Sequence, residues 1–301
     1  MIYEMIMPIS VDDYDYAKIN VHFIKRFINP NTIVIIARDC LKKKIIEDFG
    51  ADNIIKFINE DELFQGMSFD KIKTILSKRG AENRTGWYFQ QFLKMAYSYK
   101  CDCEYYLSWD TDTIPIKKIE MFSGFQPIFD IKYEYHEPYF NTMNKLLGLN
   151  KTIKKSYISE HLMFNKNIMR ELIEKIDCIS DESWYENILN CISEKDIAHS
   201  GFSEFETYGT YVETYYSGMY SYREIDTIRR GKYLFNTIPS NDALNWLAME
   251  YYAISFEKWD YNKIKGTLAE CAFIRNIIPP RKYIHWCEKY PQLVKFIEKL
   301  L

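Results

Sequence analysis

The sequence lacks several features that would assign a chain to a membrane, secreted or disulfide-rich class. Its 301 residues contain no apolar run of membrane-spanning length, and the first eight lack the basic segment that opens a signal peptide. The seven cysteines are an odd number without the spacing of a disulfide framework. These absences predict a cytoplasmic protein with reduced thiols and at most a peripheral contact with membranes.

An excess of charge of one sign is also lacking. The chain has 39 Lys and Arg residues against 42 Asp and Glu residues, a formal net charge of −3 that argues against a nucleic-acid partner. Cys101 and Cys103 are too close together to chelate zinc in the usual way, and no His pair completes a site. What the chain does have is apolar residues, at 47%, which are enough to bury a sizeable core.

The beginning of the chain alternates between strand and helix patterns. Apolar runs at residues 2–9, 32–37 and 53–58 predict strands, with helices between them that end near Phe27 and Gly50. Residues 59–85 are polar and irregular in pattern. This order predicts an α/β fold with a doubly wound, Rossmann-like mixed sheet and right-handed crossovers.

The tail of the chain has a different pattern. From Asn241 onward it is mainly amphipathic helix, interrupted at Pro279-Pro280 before a last helix near residues 281–301. Its aromatic side chains, Trp259 among them, are spread along the helices, which favours core packing over a membrane-facing surface. We therefore predict a catalytic domain at 1–240 and a helical extension at 241–301 that packs on it.

Two carboxylates follow the strand around which the chain is organised. Residues 104–109 read as a short buried strand, and Asp110 and Asp112 come directly after it. In an extended chain both would point to the same side and could reach one cation. Oxygen ligands suit Mn²⁺ or Mg²⁺, which also bind phosphate, and ligands of open α/β sheets bind outside the strand ends.

A helix predicted at residues 85–100 feeds that strand directly. Phe89, Phe92, Leu93 and Ala96 form its buried stripe, while a second face carries Trp87, Gln91 and Lys94. We predict that the second face contacts a ligand that carries a diphosphate. An exposed polar face is the alternative.

Basic residues elsewhere in the chain are candidates for binding the same diphosphate. Arg79 precedes the helix, and Arg229, Arg230 and Lys232 flank a glycine late in the chain, where a basic loop could close over a diphosphate.

Carboxylates further along the chain are candidates for a catalytic base. Ser203 and Glu206 match a capping box, which explains Glu206 structurally and leaves Glu204 without such a role at a helix N-terminus. The helix dipole predicts a lowered pKa for Glu204. We place Glu204 first as the base and Glu160 second.

Two histidines are assigned subsidiary roles. His161 follows Glu160 beside an apolar run, and we predict that it positions the acceptor. His199 precedes the Ser203 segment and is a candidate third metal ligand.

Four separated motifs give the chain a family resemblance. The α/β half followed by Tyr106-Leu107-Ser108-Trp109-Asp110-Thr111-Asp112-Thr113 resembles a GT-A-type glycosyltransferase with an Asp-X-Asp motif. More narrowly, the segments 86–94, 159–161 and 203–209 resemble an uncharacterised bacterial family of such enzymes. The resemblance spans about residues 1–260. It implies a nucleoside-diphosphate-sugar donor, UDP-sugar being favoured, a divalent metal at the two aspartates, and work on surface polysaccharide or lipopolysaccharide.

The resulting hypothesis is a metal-dependent, hexosyltransferase-like enzyme that transfers a sugar to a glycan or lipid-linked glycan acceptor. An inverting reaction needs a carboxylate base, and a retaining one stays open. The Asp110–Thr113 segment also fits loosely the nucleophile motif of haloacid-dehalogenase-like phosphatases, with Asp110 as nucleophile and Asp112 as acid/base. A nucleotide-sugar-binding protein without chemistry is the third alternative.

Overall fold

The computed structural model describes residues 1–151, 153–257 and 264–300. Its strands, in chain order, are β1 (Tyr3–Pro8), β2 (Thr32–Ala37), β3 (Ile55–Asn59), β4 (Tyr105–Trp109), β5 (Thr113–Pro115), β6 (Phe122–Ser123), β7 (Gln126–Asp130), β8 (His161–Asn165), β9 (Ser221–Arg223), β10 (Thr227–Ile228) and β11 (Ala253–Ser255). The α-helices are α1 (Tyr14–Phe27), α2 (Lys42–Phe49), α3 (Phe69–Ser77), α4 (Thr85–Ala96), α5 (Glu137–Leu147), α6 (Lys166–Asp177), α7 (Trp184–Cys191), α8 (Glu194–Ile197), α9 (Glu204–Tyr215), α10 (Gly231–Phe235), α11 (Asn241–Leu247), α12 (Thr267–Glu270), α13 (Ala272–Ile277), α14 (Pro280–Lys289) and α15 (Pro291–Glu298).

The chain forms two compact units that are interleaved in sequence. The first unit consists of Met1–Asp15, Pro30–Asp110 and Met121–Glu224. The second consists of Tyr16–Asn29, Thr111–Glu120 and Ile225–Leu301. The predicted functional division at residue 240 stays a prediction.

A five-stranded sheet forms the centre of the first unit, in the order β3-β2-β1-β4-β8. The strands β3, β2, β1 and β4 run parallel, and β8 is antiparallel to β4. Strands β1, β2 and β4 carry mostly apolar and aromatic residues on both faces because helices cover both sides of such a sheet. The α/β class and the mixed, doubly wound sheet predicted from the sequence are confirmed.

The polar stretch before α4 was predicted to be irregular, and that prediction is wrong. It contains α3, which Ser68 caps by accepting a hydrogen bond from the Lys71 backbone N–H at 3.2 Å. Only Ile72 and Leu76 of this helix are fully buried, four residues apart. The signal was missed because charged residues surround a narrow apolar stripe.

A smaller sheet in the first unit has the order β6-β7-β9. Strand β7 ends at Asp130, which pairs with Arg223 of β9. Inside this part of the unit, the rings of Phe129 and Tyr220 stack with centroids 3.8 Å apart.

The second unit is built on a three-stranded sheet, β10-β11-β5, and on the C-terminal helices. Apolar side chains of α10, α11, α14 and α15 form its core, with Trp246, Tyr283 and Val294 among them. The predicted break at Pro279-Pro280 is confirmed, and the last helix is divided again at Tyr290, before Pro291. Trp259 lies outside the described residues.

The cysteines and the helix lengths agree with the compositional analysis. All seven cysteines are free thiols. Among residues 1–151, 153–257 and 264–300, no helix combines the length and apolar character that crossing a bilayer requires.

Candidate functional site

The site starts at the carboxyl end of β4 in the first unit. This strand is fully buried and lies between β1 and β8. Asp110 follows its last residue and is partly exposed. The Asp110 backbone N–H donates a hydrogen bond to the Glu160 carbonyl at 3.0 Å, which fixes the chain as it leaves the sheet. Crevices at this edge of open α/β sheets are the usual place for ligands.

Lys94 joins two of the predicted site carboxylates. Its Nζ lies 3.0 Å from Asp110 Oδ1 and 3.0 Å from Glu204 Oε1, and its side chain is only 6% exposed. Burial alone would lower the pKa of Lys94, but the two neighbouring carboxylates outweigh it and hold the pKa above its ordinary value. The group is therefore a permanently charged bridge between β4 and the start of α9.

One face of α4 is aligned along the segment that leads into α9. Besides Lys94, this face carries Arg84, Tyr88 and Gln91, spaced three or four residues apart as a helix requires. Their contacts, in order, are Arg84 Nη2 to Ser200 Oγ at 3.0 Å, Tyr88 Oη to the Ile197 carbonyl at 3.0 Å, the Gly201 N–H to Tyr88 Oη at 3.2 Å, and the Glu204 N–H to Gln91 Oε1 at 3.1 Å.

The sequence analysis identified Gln91 and Lys94 on this face but not Arg84 or Tyr88. The apolar ring of Tyr88 concealed its polar role, and Arg84 precedes the first residue of the helix. The signal that could have found them is the spacing of polar tips, because 84, 88, 91 and 94 follow the helical repeat.

Glu204 is buried at the first position of α9, where Ser203 is the N-cap. The prediction of a lowered pKa for Glu204 is wrong in sign. Burial raises the pKa of Glu204 above its ordinary value, even though Lys94 acts in the opposite direction. Loss of hydration outweighs the helix dipole, so Glu204 is a stronger base than its position on the helix alone suggests.

The capping box predicted for Ser203 and Glu206 is half formed. The Ser203 hydroxyl accepts a hydrogen bond from the Glu206 N–H at 3.2 Å, as expected. The Glu206 carboxylate does not reach back to the N-cap. It accepts hydrogen bonds from the Ser156 hydroxyl and from the Tyr157 N–H at 3.2 Å, and lies 3.3 Å from Lys151 Nζ.

His161 belongs to a buried polar cluster next to the end of β4. Its ring stacks on Trp109, with centroids 4.7 Å apart, and its Nε2–H donates to Asp130 Oδ2 at 2.7 Å. The guanidinium of Arg223 donates to both oxygens of Asp130, each at 2.7 Å. Burial would raise the pKa of Asp130, but the bonds from Arg223 and His161 outweigh it and lower the pKa to about 2. Sequence reasoning missed the pairing of Asp130 with Arg223 because the two residues are distant in the chain.

The remaining predicted residues of the first unit have contacts other than Lys94. Glu160 is buried, and its backbone carbonyl accepts the hydrogen bond from the Asp110 N–H. Arg79 donates to the carbonyls of Leu189 and Ile192 and pairs with Glu194 at 2.7 Å, which gives it a structural role at the end of α7. His199 is exposed, and Trp87 is half-buried.

Four predicted residues belong to the second unit: Asp112, Arg229, Arg230 and Lys232. The Asp112 carbonyl accepts a hydrogen bond from the Phe256 N–H at 2.8 Å, next to the pairing of β5 with β11. The Arg230 guanidinium lies over the Tyr233 ring, 4.1 Å from its centroid, and Arg229 is partly exposed.

The two aspartates predicted as metal ligands offer carboxylate oxygen atoms. Among the described residues, no group of three or more His, Cys, Asp or Glu side chains is arranged to hold a metal ion. Asp110, whose side chain is 32% exposed, keeps part of its carboxylate accessible. Mg²⁺ and Mn²⁺ are commonly held by one or two carboxylates plus substrate phosphates, so the chemistry of Asp110 and Asp112 fits such an ion.

Comparison with known proteins gives one family and several solved structures. The model of the family described as "Family of unknown function (DUF6492)" matches residues 3–274. No curated protein matches the chain.

Three of the similar structures are named as glycosyltransferases. Mouse xyloside xylosyltransferase 1 has 8% identity over 87% of this chain and 99% of its own, with a TM-score of 0.46. The galactosyltransferase LgtC, in complex with donor and acceptor sugar analogues, has 11% identity over 84% of this chain and 86% of its own, with a TM-score of 0.40. GlyE from Streptococcus pneumoniae has 10% identity over 97% of this chain and 64% of its own, with a TM-score of 0.43. Scores below 0.5 do not establish a common fold.

Proposed function

The chain belongs to the DUF6492 family of unknown function, and from the chemistry of its site we propose that it is a glycosyltransferase. The proposed donor is a nucleoside-diphosphate sugar, with a UDP-sugar favoured, and the proposed acceptor is a glycan or lipid-linked glycan. The observation that carries the proposal is the buried Lys94, which holds Asp110 and Glu204 together, each at 3.0 Å. Two carboxylates with different proposed tasks therefore lie together at the end of one strand.

Asp110 faces the donor in this proposal. With Asp112, two residues later in the sequence, it would hold Mn²⁺ or Mg²⁺, which when bound offsets negative charge on the departing diphosphate. Lys94 forms an ion pair with Asp110 at 3.0 Å and fixes its orientation, so the Asp110 carboxylate needs little rearrangement when a donor enters. The sequence spacing of the two aspartates and the hard oxygen donors support the metal.

Glu204 is the proposed base. Its raised pKa brings it closer to the working pH than an ordinary glutamate, which favours removal of a proton from an acceptor hydroxyl. Lys94 acts on the pKa of Glu204 in the opposite direction and favours the ionised carboxylate. The carboxylate therefore accepts the proton as the acceptor oxygen attacks the anomeric carbon from the face opposite the diphosphate.

His161 and Glu160 have supporting roles in the proposal. His161 is fixed by Asp130 and by stacking on Trp109, so it would shape the wall of the site beside Asp110. Glu160 is the second candidate for the base because its backbone contacts Asp110 directly. Arg229 and Arg230 are proposed to bind diphosphate, on the basis of their charge and the adjacent Gly231 in the sequence.

The test is product analysis by mass spectrometry on the full chain, with a panel of nucleotide sugars in the presence and absence of Mn²⁺. Release of free nucleoside diphosphate from one donor, dependent on the metal, is the expected result. Release of inorganic phosphate would support the phosphatase alternative instead. Donor binding without any product would support a binding protein without chemistry.

A further inference from the structure

A cation and an aromatic wall lie beside the α4–α9 contacts and take no part in the proposed chemistry. We call this group, Arg84, Trp87, His136 and Tyr139, the Arg84 cluster. The Arg84 guanidinium lies over the Trp87 ring, 4.4 Å from its centroid. The rings of Trp87 and Tyr139 are inclined by only 17° with centroids 6.5 Å apart, and His136 packs against Tyr139 at 4.5 Å. All four residues are partly exposed.

No carboxylate among the described residues neutralises the charge of Arg84. Its Nη2 donates to the Ser200 hydroxyl, but its buried Nε has no hydrogen-bond partner within residues 1–151, 153–257 and 264–300. Within the same residues, no carboxylate forms an ion pair with its guanidinium. Burial lowers the pKa of Arg84, which reflects the cost of holding this charge away from water. A guanidinium with a vacant N–H is suited to a planar or tetrahedral anion.

The cluster contacts the segment that leads into Glu204. Ser200, four residues before Glu204, accepts a hydrogen bond from Arg84 at its Oγ, and its carbonyl lies 2.8 Å from His136 Nε2. Burial and, in addition, the charge of Glu204 raise the pKa of Tyr139 to about 12. Tyr139 packs against His136, so a molecule that rests on Tyr139 lies next to the segment that leads to the proposed base.

Arg84 and Lys94 mark different ends of α4. They are ten residues apart, which corresponds to about 15 Å along a helix. A diphosphate at Asp110, next to Lys94, would not reach Arg84. The anion that Arg84 is suited to bind is thus more consistent with the acceptor than with the donor.

We propose that the Arg84 cluster is the subsite for an acceptor saccharide that bears an anionic substituent, a carboxylate or a phosphate. This rests on the proposed glycosyltransferase function and narrows its acceptor class. The apolar face of the sugar ring packs on Tyr139 and Trp87, while the anionic substituent pairs with the partly exposed guanidinium of Arg84. The saccharide extends from this ring along the segment before α9, so that a hydroxyl further along it is directed to Glu204.

The experiment compares three probes by calorimetry or ligand-observed NMR on the full chain: methyl β-glucuronide, methyl β-glucoside 6-phosphate and the neutral methyl β-glucoside. The anionic probes should bind about tenfold more tightly than the neutral one, since charge-assisted hydrogen bonds have this effect. Arg84→Met should remove the preference, and Arg84→Lys should retain part of it because the charge remains without the planar fork.

Arg170→Met is the matched control. Arg170 also lies over an aromatic ring, that of Tyr99 at 5.6 Å, and donates one hydrogen bond, to the Ser98 carbonyl at 2.8 Å. This variant should keep the preference for anionic probes. Comparing the carboxylate with the phosphate probe identifies which of the two anions the site prefers.

Several results would overturn the subsite: equal affinity for charged and neutral probes, no binding of any of them, or a preference that survives in Arg84→Met. A loss of nucleoside-diphosphate affinity in Arg84→Met as large as the loss for glucuronide would move Arg84 to the donor side and overturn it as well. Nucleoside-diphosphate release by the wild-type chain is measured separately. Release without anion preference contradicts only the subsite, whereas anion preference without release contradicts the glycosyltransferase.

Discussion

At the scale of single residues, Lys94 is the cation that balances the carboxylates of Asp110 and Glu204 in the candidate site. It is a buried ammonium with carboxylates on two sides, and truncating one partner of such an arrangement leaves the others in a poorly solvated place without compensation. The same arrangement tunes Glu204, whose raised pKa results from burial and is limited by Lys94. Stability and chemistry therefore depend on the same three side chains.

Glu204→Gln should abolish sugar transfer, by a factor of about 10² or more, while donor and metal affinity change little. The amide keeps the size of the side chain but cannot accept the acceptor's proton. Turnover of nucleotide sugar and calorimetric binding of nucleoside diphosphate are the two measurements.

Glu213→Gln, the same change on the same helix, is the control and should keep wild-type turnover. If Glu204→Gln stays active and Glu160→Gln does not, the base is Glu160. Activity in both would point to a retaining reaction.

Asp130→Asn should lower the free energy of unfolding at pH 7 by about 2 to 3 kcal/mol. Asp130 has its pKa lowered to about 2 in the folded chain, so its contribution is present above the unfolded pKa and is lost as pH falls towards 2. The difference between variant and wild type should therefore shrink between about pH 4 and pH 2.

Urea denaturation at pH 7, 4 and 3 measures this difference. Asp242→Asn is the control, because Asp242 is exposed and lies 3.6 Å from Arg275, and it should change stability little at any of these pH values. A difference for Asp130→Asn that is independent of pH would mean that its ionisation contributes nothing.

At the scale of elements, the start of α9 is held from two directions. Ser203 caps the helix locally, and Glu206 ties its first turn to Ser156, Tyr157 and Lys151. The polar face of α4 adds contacts to the segment before it. Because Glu204 lies in this first turn, the position of the proposed base depends on the whole arrangement.

Glu206→Gln should cost more stability than Ser203→Ala. Removing the cap should cost about 1 kcal/mol, whereas weakening a buried carboxylate with several donors should cost about 2 to 3 kcal/mol. Chemical denaturation at pH 7 gives both values.

Ser193→Ala is the control for the cap, since Ser193 precedes α8 but its hydroxyl caps no backbone N–H. It should cost less than Ser203→Ala. A larger cost for Ser203→Ala than for Glu206→Gln would restore the simple capping role that the sequence predicts for Glu206.

The sequence predicted elements better than it predicted interactions. Strand β2 matches its predicted residues, because a β-branched apolar run between turns has few alternatives. Helix α3 was not predicted from the sequence because its apolar stripe is narrow. The pKa of Glu204 could not be predicted, since it depends on burial and on Lys94, which is 110 residues away in the chain.

For the candidate site, proximity in the sequence was a partial guide. Gln91, Lys94, Asp110 and Glu204 were all proposed, and the structure brings them together. Asp130 and Arg223 could not be found, because their pairing is set by the register of β7 with β9 and leaves no local motif.

At the scale of the whole molecule, the predicted Asp-X-Asp segment contains a point where the chain passes from the first unit to the second. Asp110 ends a segment of the first unit, and Asp112 belongs to the second, as do Arg229 and Arg230. A ligand that binds only the native state raises the melting temperature of the chain.

Nucleoside diphosphate with Mn²⁺ should therefore raise the melting temperature of the wild-type chain, by an amount that grows with ligand concentration. Asp112→Asn should remove most of this shift. A thermal-shift titration with and without Mn²⁺ is the measurement, and Asp12→Asn, at an exposed aspartate of the first unit, is the control. An undiminished shift in Asp112→Asn would exclude that residue as a ligand.

Arg229→Ala with Arg230→Ala should weaken nucleoside diphosphate more than nucleoside, since the two guanidinium groups are proposed to contact phosphate alone. Calorimetry with both ligands measures the ratio. Equal losses would leave the arginines as a solvated charged surface.

The bridge made by Lys94 also has an evolutionary consequence. Because each of Lys94, Asp110 and Glu204 compensates a buried or partly buried charge of another, a lineage cannot readily neutralise one of them and keep the rest. Relatives that have abandoned the reaction should show paired replacements, such as an uncharged residue at 94 together with one at 204. Such covariation would trace the loss of activity through the family, even where the aspartates at 110 and 112 persist.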